Sequence, residues 1–319
     1  MDTYRFSLAD VDQWRMHLAE HGFVVVSDVL SPAQARDGLS QMWSLMAALS
    51  DVREDDPDTW AKSANWPPML HGGMIQYLGH TPLQWQMRQL CAQVYSAYYH
   101  LEPEQLATSF DGLCMMHGAR TYRREGDLVS FLHTDQSPRR VGEWSIQGLV
   151  TLTDSGPDAG GLVVVPGSHL EHQSFFEGHP SGEQKSDWYK FDDREKLDLA
   201  ERAIKVEAQA GDFLMWDSRT FHANAVPTHT DAVRACVYVC MLPQARLSGA
   251  IRQRRQKAFD ERRTSTHHPA EGFKLFPSLP RFVTDRDAFL QRVLALQNPL
   301  DLTPLQRALM AGVSQASLV

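Results

Sequence analysis

"IQGLVTLTDSGPDAGGLVVVPGSH", residues 146–169, decides the fold of this chain. Two short apolar runs are separated by Asp, Ser, Gly and Pro, residues that turn the backbone rather than continue an element. Runs this short between turn formers read as strands, because helices need more length to cover a buried face. The same texture continues on both sides. "GLCMM" (112–116), "DLVSFLHTD" (127–135), "GDFLMWDS" (211–218) and "RACVYVCML" (234–242) are each strand-like and punctuated in the same way. Many short strands predict a mainly β domain, a sandwich, jelly roll or barrel, rather than a parallel α/β sheet.

The helices come first. "SLADVDQWRMHLAEHG" (7–22) spaces Leu8, Val11, Trp14 and Leu18 at helical intervals and stops at Gly22. "FVVVSDVL" (23–30) reads as a buried strand, and Ser31 followed by Pro32 marks a helix start. A further helix is expected over 82–100. The chain is therefore read as a single domain in three parts: a mainly helical 1–107, a β core over 108–245 and a C-terminal extension over 246–319. Two polar excursions, 175–208 and 246–282, leave the strand pattern as lids, binding loops or surface decoration.

Composition narrows the function. With 319 residues and 43% hydrophobic content there is material for a substantial core. A net charge of −8 disfavours nucleic acid, since phosphate binding wants a basic face. Four scattered cysteines do not make a disulfide framework. No secretory h-region or apolar run of membrane-spanning length occurs, so a cytoplasmic protein with a small-molecule partner is expected, its oligomeric state open.

His-Thr-Asp is spelled twice, at 133–135 and 229–231. A His-x-Asp is weak evidence alone, so context must choose. In the first copy, strand alternation puts His133 and Asp135 on one face with Thr134 opposite. His222, just beyond "GDFLMW", offers a third ligand several strands away. Two histidines and one carboxylate are the donor set of the facial triad of non-haem iron(II) oxygenases, whereas a structural zinc site would usually recruit cysteines. The second copy sits in "VPTHTDAV", a turn-like stretch with only His267 and His268 after it to complete a site. "HLE" at 169–171 follows a Pro-Gly turn, where His169 reads as a packing residue.

Arg234 opens a largely apolar strand and shares a face with Cys236, Tyr238 and Cys240. A buried guanidinium needs an anionic partner, either a protein acid or a bound carboxylate. Cys236 and Cys240 lie about 13 Å apart along an ideal strand, which makes them packing residues rather than co-ligands.

"HLAEHGFVVVSDVLSPAQ", "FLHTDQ", the 146–169 stretch and "GDFLMWDSRTFHANAV" with its downstream arginine together resemble the phytanoyl-CoA dioxygenase family of iron(II)- and 2-oxoglutarate-dependent oxygenases. The resemblance implies a double-stranded β-helix (a cupin-like jelly roll) flanked by N-terminal helices. It implies that His133, Asp135 and His222 bind Fe(II), with 2-oxoglutarate and O2 as co-reactants, and that Arg234 takes the distal carboxylate of 2-oxoglutarate. The family often has Ser or Thr two residues after the distal histidine; here the position is Asn224, whose amide offers a hydrogen bond. With Asp135 present, the resemblance implies hydroxylation rather than halogenation.

The substrate is less legible. Trp66, His71 and Tyr77 sit in a Gly- and Pro-rich loop suited to covering a site, and Gln147 and Trp144 are candidates for the cavity wall. "IRQRRQKAFDERR" is either a cationic approach for an acidic substrate or a solvated helix face. A small molecule, such as a specialised metabolite or amino-acid derivative, is the expected substrate. The rival readings are a metal-dependent cupin-type hydrolase or isomerase, and a non-catalytic binding protein on the same fold.

Overall fold

A computed structural model describes residues 4–60, 62–69, 73–118, 131–228 and 232–312. Strand β1 (Arg5–Ser7) leads into helix α1 (Val11–His21), which buries Trp14 and Leu18 one turn apart. Gly22 ends the helix with φ +80°, and its N–H donates to the Leu18 carbonyl. The run after it forms β2 (Phe23–Ser27). Helix α2 (Pro32–Leu49) opens on a capping box in which Ser31 and Gln34 exchange hydrogen bonds. After β3 (Met74–Ile75), Thr81 and Gln84 repeat that device at the start of α3 (Pro82–Tyr99).

The β region then runs through β4 (Leu106–Thr108), β5 (Leu113–His117), β6 (His133–Thr134), β7 (Ile146–Thr151) and β8 (Gly161–Val164). Helix α4 (Ser168–Phe176) leads into the first polar excursion, which holds β9 (Tyr189–Lys190), α5 (Asp193–Ala200) and β10 (Ile204–Lys205). The core resumes with β11 (Phe213–Asp217), β12 (His222–Ala225), β13 (Val233–Tyr238) and β14 (Met241–Pro243). Helices α6 (Gly249–Asp260), α7 (Arg286–Ala295) and α8 (Pro304–Met310) follow.

Two sheets face each other in a jelly roll that does not close into a barrel. The larger has the order β1-β2-β11-β7-β13-β5-β3 and the smaller β10-β8-β12-β6-β9; β14 and β4 pair separately. Only the β1–β2 pairing is parallel among these ladders. Alternation divides the side chains. Val25, Leu149, Leu214 and Cys236 of the large sheet meet Leu162 and Val164 of the small sheet between the layers. Val24, Val26, Val150 and Phe213 point the other way, into the core under α1, α2 and α3. That is why "FVVV" is apolar without a break: both of its faces are covered. Leu199 of α5 and Phe175 of α4 help to close the outer face of the small sheet, in one cluster with Val163 and Ala223.

The second excursion is fastened rather than loose. Arg255 of α6 is wholly buried and donates to the carbonyls of Thr108 (2.6 Å), Pro269 (2.8 Å) and Met310 (2.8 Å). One arginine of the basic run thus ties α6 to β4, α8 and the following loop. That loop folds back on itself at the Ser265–Leu275 bridge.

Candidate metal centre and its cavity

The register of β12 on β6 sets His222 directly opposite His133. Each imidazole uses Nδ1 on a main-chain carbonyl two residues upstream, His133 on Phe131 and His222 on Thr220, both at 2.8 Å. A ring that donates Nδ1–H in this way is left with its Nε2 lone pair for a metal. Asp135 supplies the third donor: its carboxylate lies 3.9 Å from His133 Nε2 and 3.5 Å from His222 Nε2. Adjacent donors around an ion at ~2.1 Å would sit ~3 Å apart, so modest side-chain movements complete a site. Thr134 points away, its hydroxyl donating to the Ser218 carbonyl, as strand alternation requires.

The charges suit a cation. Burial, and then the neighbouring His222, bring the His133 imidazole down to about 4, which keeps it neutral and ligand-ready. Burial alone would favour protonated Asp135, but the surrounding imidazoles of His133, His222 and His267 hold it well below the ordinary carboxylate range. Gln147 Nε2 donates to Asp135 Oδ2 at 2.9 Å.

Arg234 stands in the facing sheet, 3% exposed. Its Nη1 donates to Asn224 Oδ1 at 2.7 Å, and the Asn224 amide donates to the Tyr238 hydroxyl at 3.3 Å. This chain of contacts crosses from β13 to β12, so Asn224 is held by Arg234 and Tyr238. Among the described residues no carboxylate forms an ion pair with Arg234. Gly160 makes room for it: a Cβ there would come within 3.0 Å of Arg234 Cδ and 2.8 Å of the Ala225 carbonyl oxygen.

His133, Asp135, His222, Asn224 and Tyr238 line one cavity of about 290 Å³. Both excursions help to wall it, the first with Asp187 and Trp188, the second with Thr266, His267, His268 and Phe276. His267 was anticipated only as a partner for the second His-Thr-Asp copy. It is placed instead beside the first, with Nδ1 2.8 Å from Asp111 Oδ1 and Nε2 3.7 Å from Asp135 Oδ2. His268 Nε2 meets the Asp135 main-chain oxygen at 3.1 Å. The adjacent His-His pair was the sequence signal for this wall, but nothing local tied it to strand β6. Asp111, Cys240 and His267 also form a cluster with metal-ligand spacing, as do His133, Asp135 and His222.

Several expectations change. Gln147 is fully buried and reaches the site through Asp135 instead of forming the cavity wall, because its strand lies in the middle of the large sheet. Trp144 stacks with Arg140 and Arg246, and Trp66 stacks on His117 at 4.4 Å in the core. Tyr77 packs against Phe289; Met74 and Gln76 of the same loop face the cavity instead. His169 binds the Ala19 carbonyl at 3.0 Å and Glu171 pairs with Arg202, so neither is near a metal group. His71, residues 127–130 of the strand expected before His133, and the second copy at 229–231 lie outside the described residues.

The family model for phytanoyl-CoA dioxygenase matches residues 115–236. "Ava biosynthesis cluster protein O" of Aspergillus versicolor is 25% identical over 270 residues, 80% of this chain and 85% of the relative. "Dioxygenase af480" of Aspergillus fumigatus is 23% identical, over 74% of this chain and 68% of the relative. A solved structure of a Salmonella typhimurium LT2 protein shares the fold, with a TM-score of 0.56, 15% identity and coverage of 91% of this chain and 85% of that one. No described helix is long and apolar enough to cross a membrane.

Proposed function

We propose that this chain, an iron(II)- and 2-oxoglutarate-dependent oxygenase of the phytanoyl-CoA dioxygenase family by its match over 115–236, hydroxylates an unactivated C–H bond of a small specialised metabolite. The observation that carries the reading is the His133–Asp135–His222 triad on a cavity lined also by Asn224, whose Oδ1 accepts from Arg234, a buried arginine behind that wall with no described acid as its partner. A zinc or manganese hydrolase would use the same triad but leave Arg234 with no carboxylate to bind. The name of the A. versicolor relative, a biosynthesis cluster protein, supports a specialised metabolite over a primary one.

His133, Asp135 and His222 would hold the iron. When bound, iron(II) and 2-oxoglutarate supply the activation of O2, with one oxygen atom going to the substrate and the cosubstrate leaving as succinate and carbon dioxide. The chain's own residues hold and orient the reactants. Arg234 presents a guanidinium fork suited to the distal carboxylate of 2-oxoglutarate, and Asn224 keeps that fork in place. Gln147 fixes the Asp135 carboxylate from behind, which holds the ligand in one orientation. With iron bound, Asp135 would take the coordination position that a halide would need.

Turnover tests the reading directly. Iron-loaded protein given 2-oxoglutarate, O2 and a panel of small metabolites should form succinate, and the true substrate should gain one oxygen atom by mass spectrometry. The His222→Ala variant should form neither product. Iron-loaded, folded protein that consumes no 2-oxoglutarate with or without candidate substrates would refute the oxygenase reading.

A further inference from the structure

The substrate side of the cavity is assembled by both excursions, one within the matched region 115–236 and one beyond it, and their chemistry is uneven. The 264–276 hairpin is pinned at its start and closed on itself, Phe276 N donating to the Thr264 carbonyl at 3.1 Å. Thr264 Oγ1 donates to the Gln76 carbonyl, and Ser265 N donates to the Phe110 carbonyl at 3.1 Å. From this fixed base it delivers His267 and Phe276 to the cavity. Opposite strand β6, the first excursion delivers Trp188, whose ring lies 6.0 Å from Phe131 and 6.4 Å from His133.

Trp188 is 46% exposed although it lines the cavity. A large indole held half in solvent at a cavity mouth is a platform waiting for a flat partner. Phe131, Phe276 and Met74 extend the same apolar, polarisable wall. The ionisable groups on the described substrate side are already matched: Asp187 is held by Arg140 at 2.5 Å, and no lysine or arginine faces the space. His267 is paired with Asp111 and hydrogen-bonded to Cys240, and it still stands at the cavity wall. Asp111 fixes its Nδ1, while Nε2 lies 3.7 Å from Asp135, too far for a hydrogen bond.

We propose that His267 is the polar anchor for the substrate, and that the substrate is a planar, unsaturated ring compound whose hydroxyl meets His267 Nε2 while its face lies on Trp188. A hydroxyl both donates and accepts, so it satisfies Nε2 in either protonation state of the ring. This assignment rests on the oxygenase reading for its place in a reaction, but its binding claim stands apart from that reading.

The test uses three probes of similar size: 2-naphthol, 2-methylnaphthalene and decahydro-2-naphthol. Binding is followed calorimetrically on anaerobic protein, with Fe(II) and 2-oxoglutarate and again without them. The expected result is that 2-naphthol binds at least about tenfold more tightly than either analogue. His267→Leu should abolish its advantage over 2-methylnaphthalene, with His267→Gln restoring part of it, while the affinities for Fe(II) and 2-oxoglutarate stay within about twofold. Trp188→Ala, a change at a half-exposed position that does not endanger folding, should remove the preference for the aromatic over the saturated ring.

Equal binding of the three probes, or retention of both preferences in these variants, overturns the proposal. So does a His267→Leu variant that weakens iron or 2-oxoglutarate binding as much as naphthol binding, since His267 would then serve Asp135 rather than the substrate. If Fe(II) and 2-oxoglutarate fail to bind while the probe pattern holds, the oxygenase reading fails and the anchor remains.

Discussion

His133 and His222 are direct partners across adjacent antiparallel strands, their ring centroids 4.2 Å apart and each Nδ1 committed to a main-chain oxygen. Two buried imidazoles placed this closely, with both Nε2 atoms near one carboxylate, are arranged for a cation and gain little from each other. Replacing either by alanine, or Asp135 by alanine, should weaken iron binding by more than about 100-fold, beyond the effect typical of residues that only support a ligand. Metal content after dialysis, with circular dichroism to show that the fold persists, checks this.

Gln147 offers a finer test. Its amide holds Asp135 Oδ2 at 2.9 Å and it does not reach the cavity. Gln147→Leu should therefore lower iron affinity by about 10- to 100-fold and leave the 2-oxoglutarate dependence of the remaining activity unchanged. An unaltered iron affinity would show that the amide does not orient the ligand.

Arg234→Met should raise the dissociation constant for 2-oxoglutarate by about 30-fold or more, the cost of truncating one side of a buried charge pair. Iron binding without cosubstrate should be unaffected, because Arg234 contacts Asn224 and not the ligands. Isothermal titration of each in turn separates the two effects.

Gly160 lies where β8 approaches both β12 and the Arg234 stem. A methyl group there would meet the Ala225 oxygen at 2.8 Å, a backbone atom that yields little. Gly160→Ala should destabilise the protein by about 1–3 kcal/mol and weaken 2-oxoglutarate binding along with it. A thermal melt and a titration on the same preparation test both halves; stability loss alone would show that Arg234 keeps its place.

His80 makes a pH prediction. It is wholly buried, its Nε2 3.0 Å from the Arg263 oxygen, and burial, then Arg88, hold its pKa well below 6.5. The unfolded chain takes up a proton near ~6.5 where the native protein does not. Its contribution to stability is therefore full above that pH and declines as the pH falls towards the native value, by up to about 1.4 kcal/mol per pH unit. Urea unfolding of metal-free protein at pH 7.5 and 5.5 should show a smaller loss for His80→Asn than for the native chain.

Much of the β core was legible because its strands are short, apolar and sharply punctuated. Ser31 with Pro32, and Gly22 after Leu18, marked helix ends through local chemistry alone. His133 and Asp135 were readable as neighbours on one face for the same reason. What stayed hidden was long-range. The pairing of β2 with β11 joins residues nearly the whole core apart, and no local pattern announces it. His267 lies more than 130 positions from Asp135 and comes to it only because Arg255 and the 265–275 bridge fold the extension back. Gln147 and Trp144 were misplaced because alternation tells which face a residue takes but not which neighbour already occupies it.

The most direct test of the central claim is an anaerobic visible spectrum of the protein with Fe(II), before and after 2-oxoglutarate is added. The account predicts a weak charge-transfer band that needs both components, is absent in His222→Ala, and in Arg234→Met appears only at much higher 2-oxoglutarate. Folded, iron-loaded protein that develops no band at saturating 2-oxoglutarate would contradict it, and the triad would then belong to a different metal chemistry.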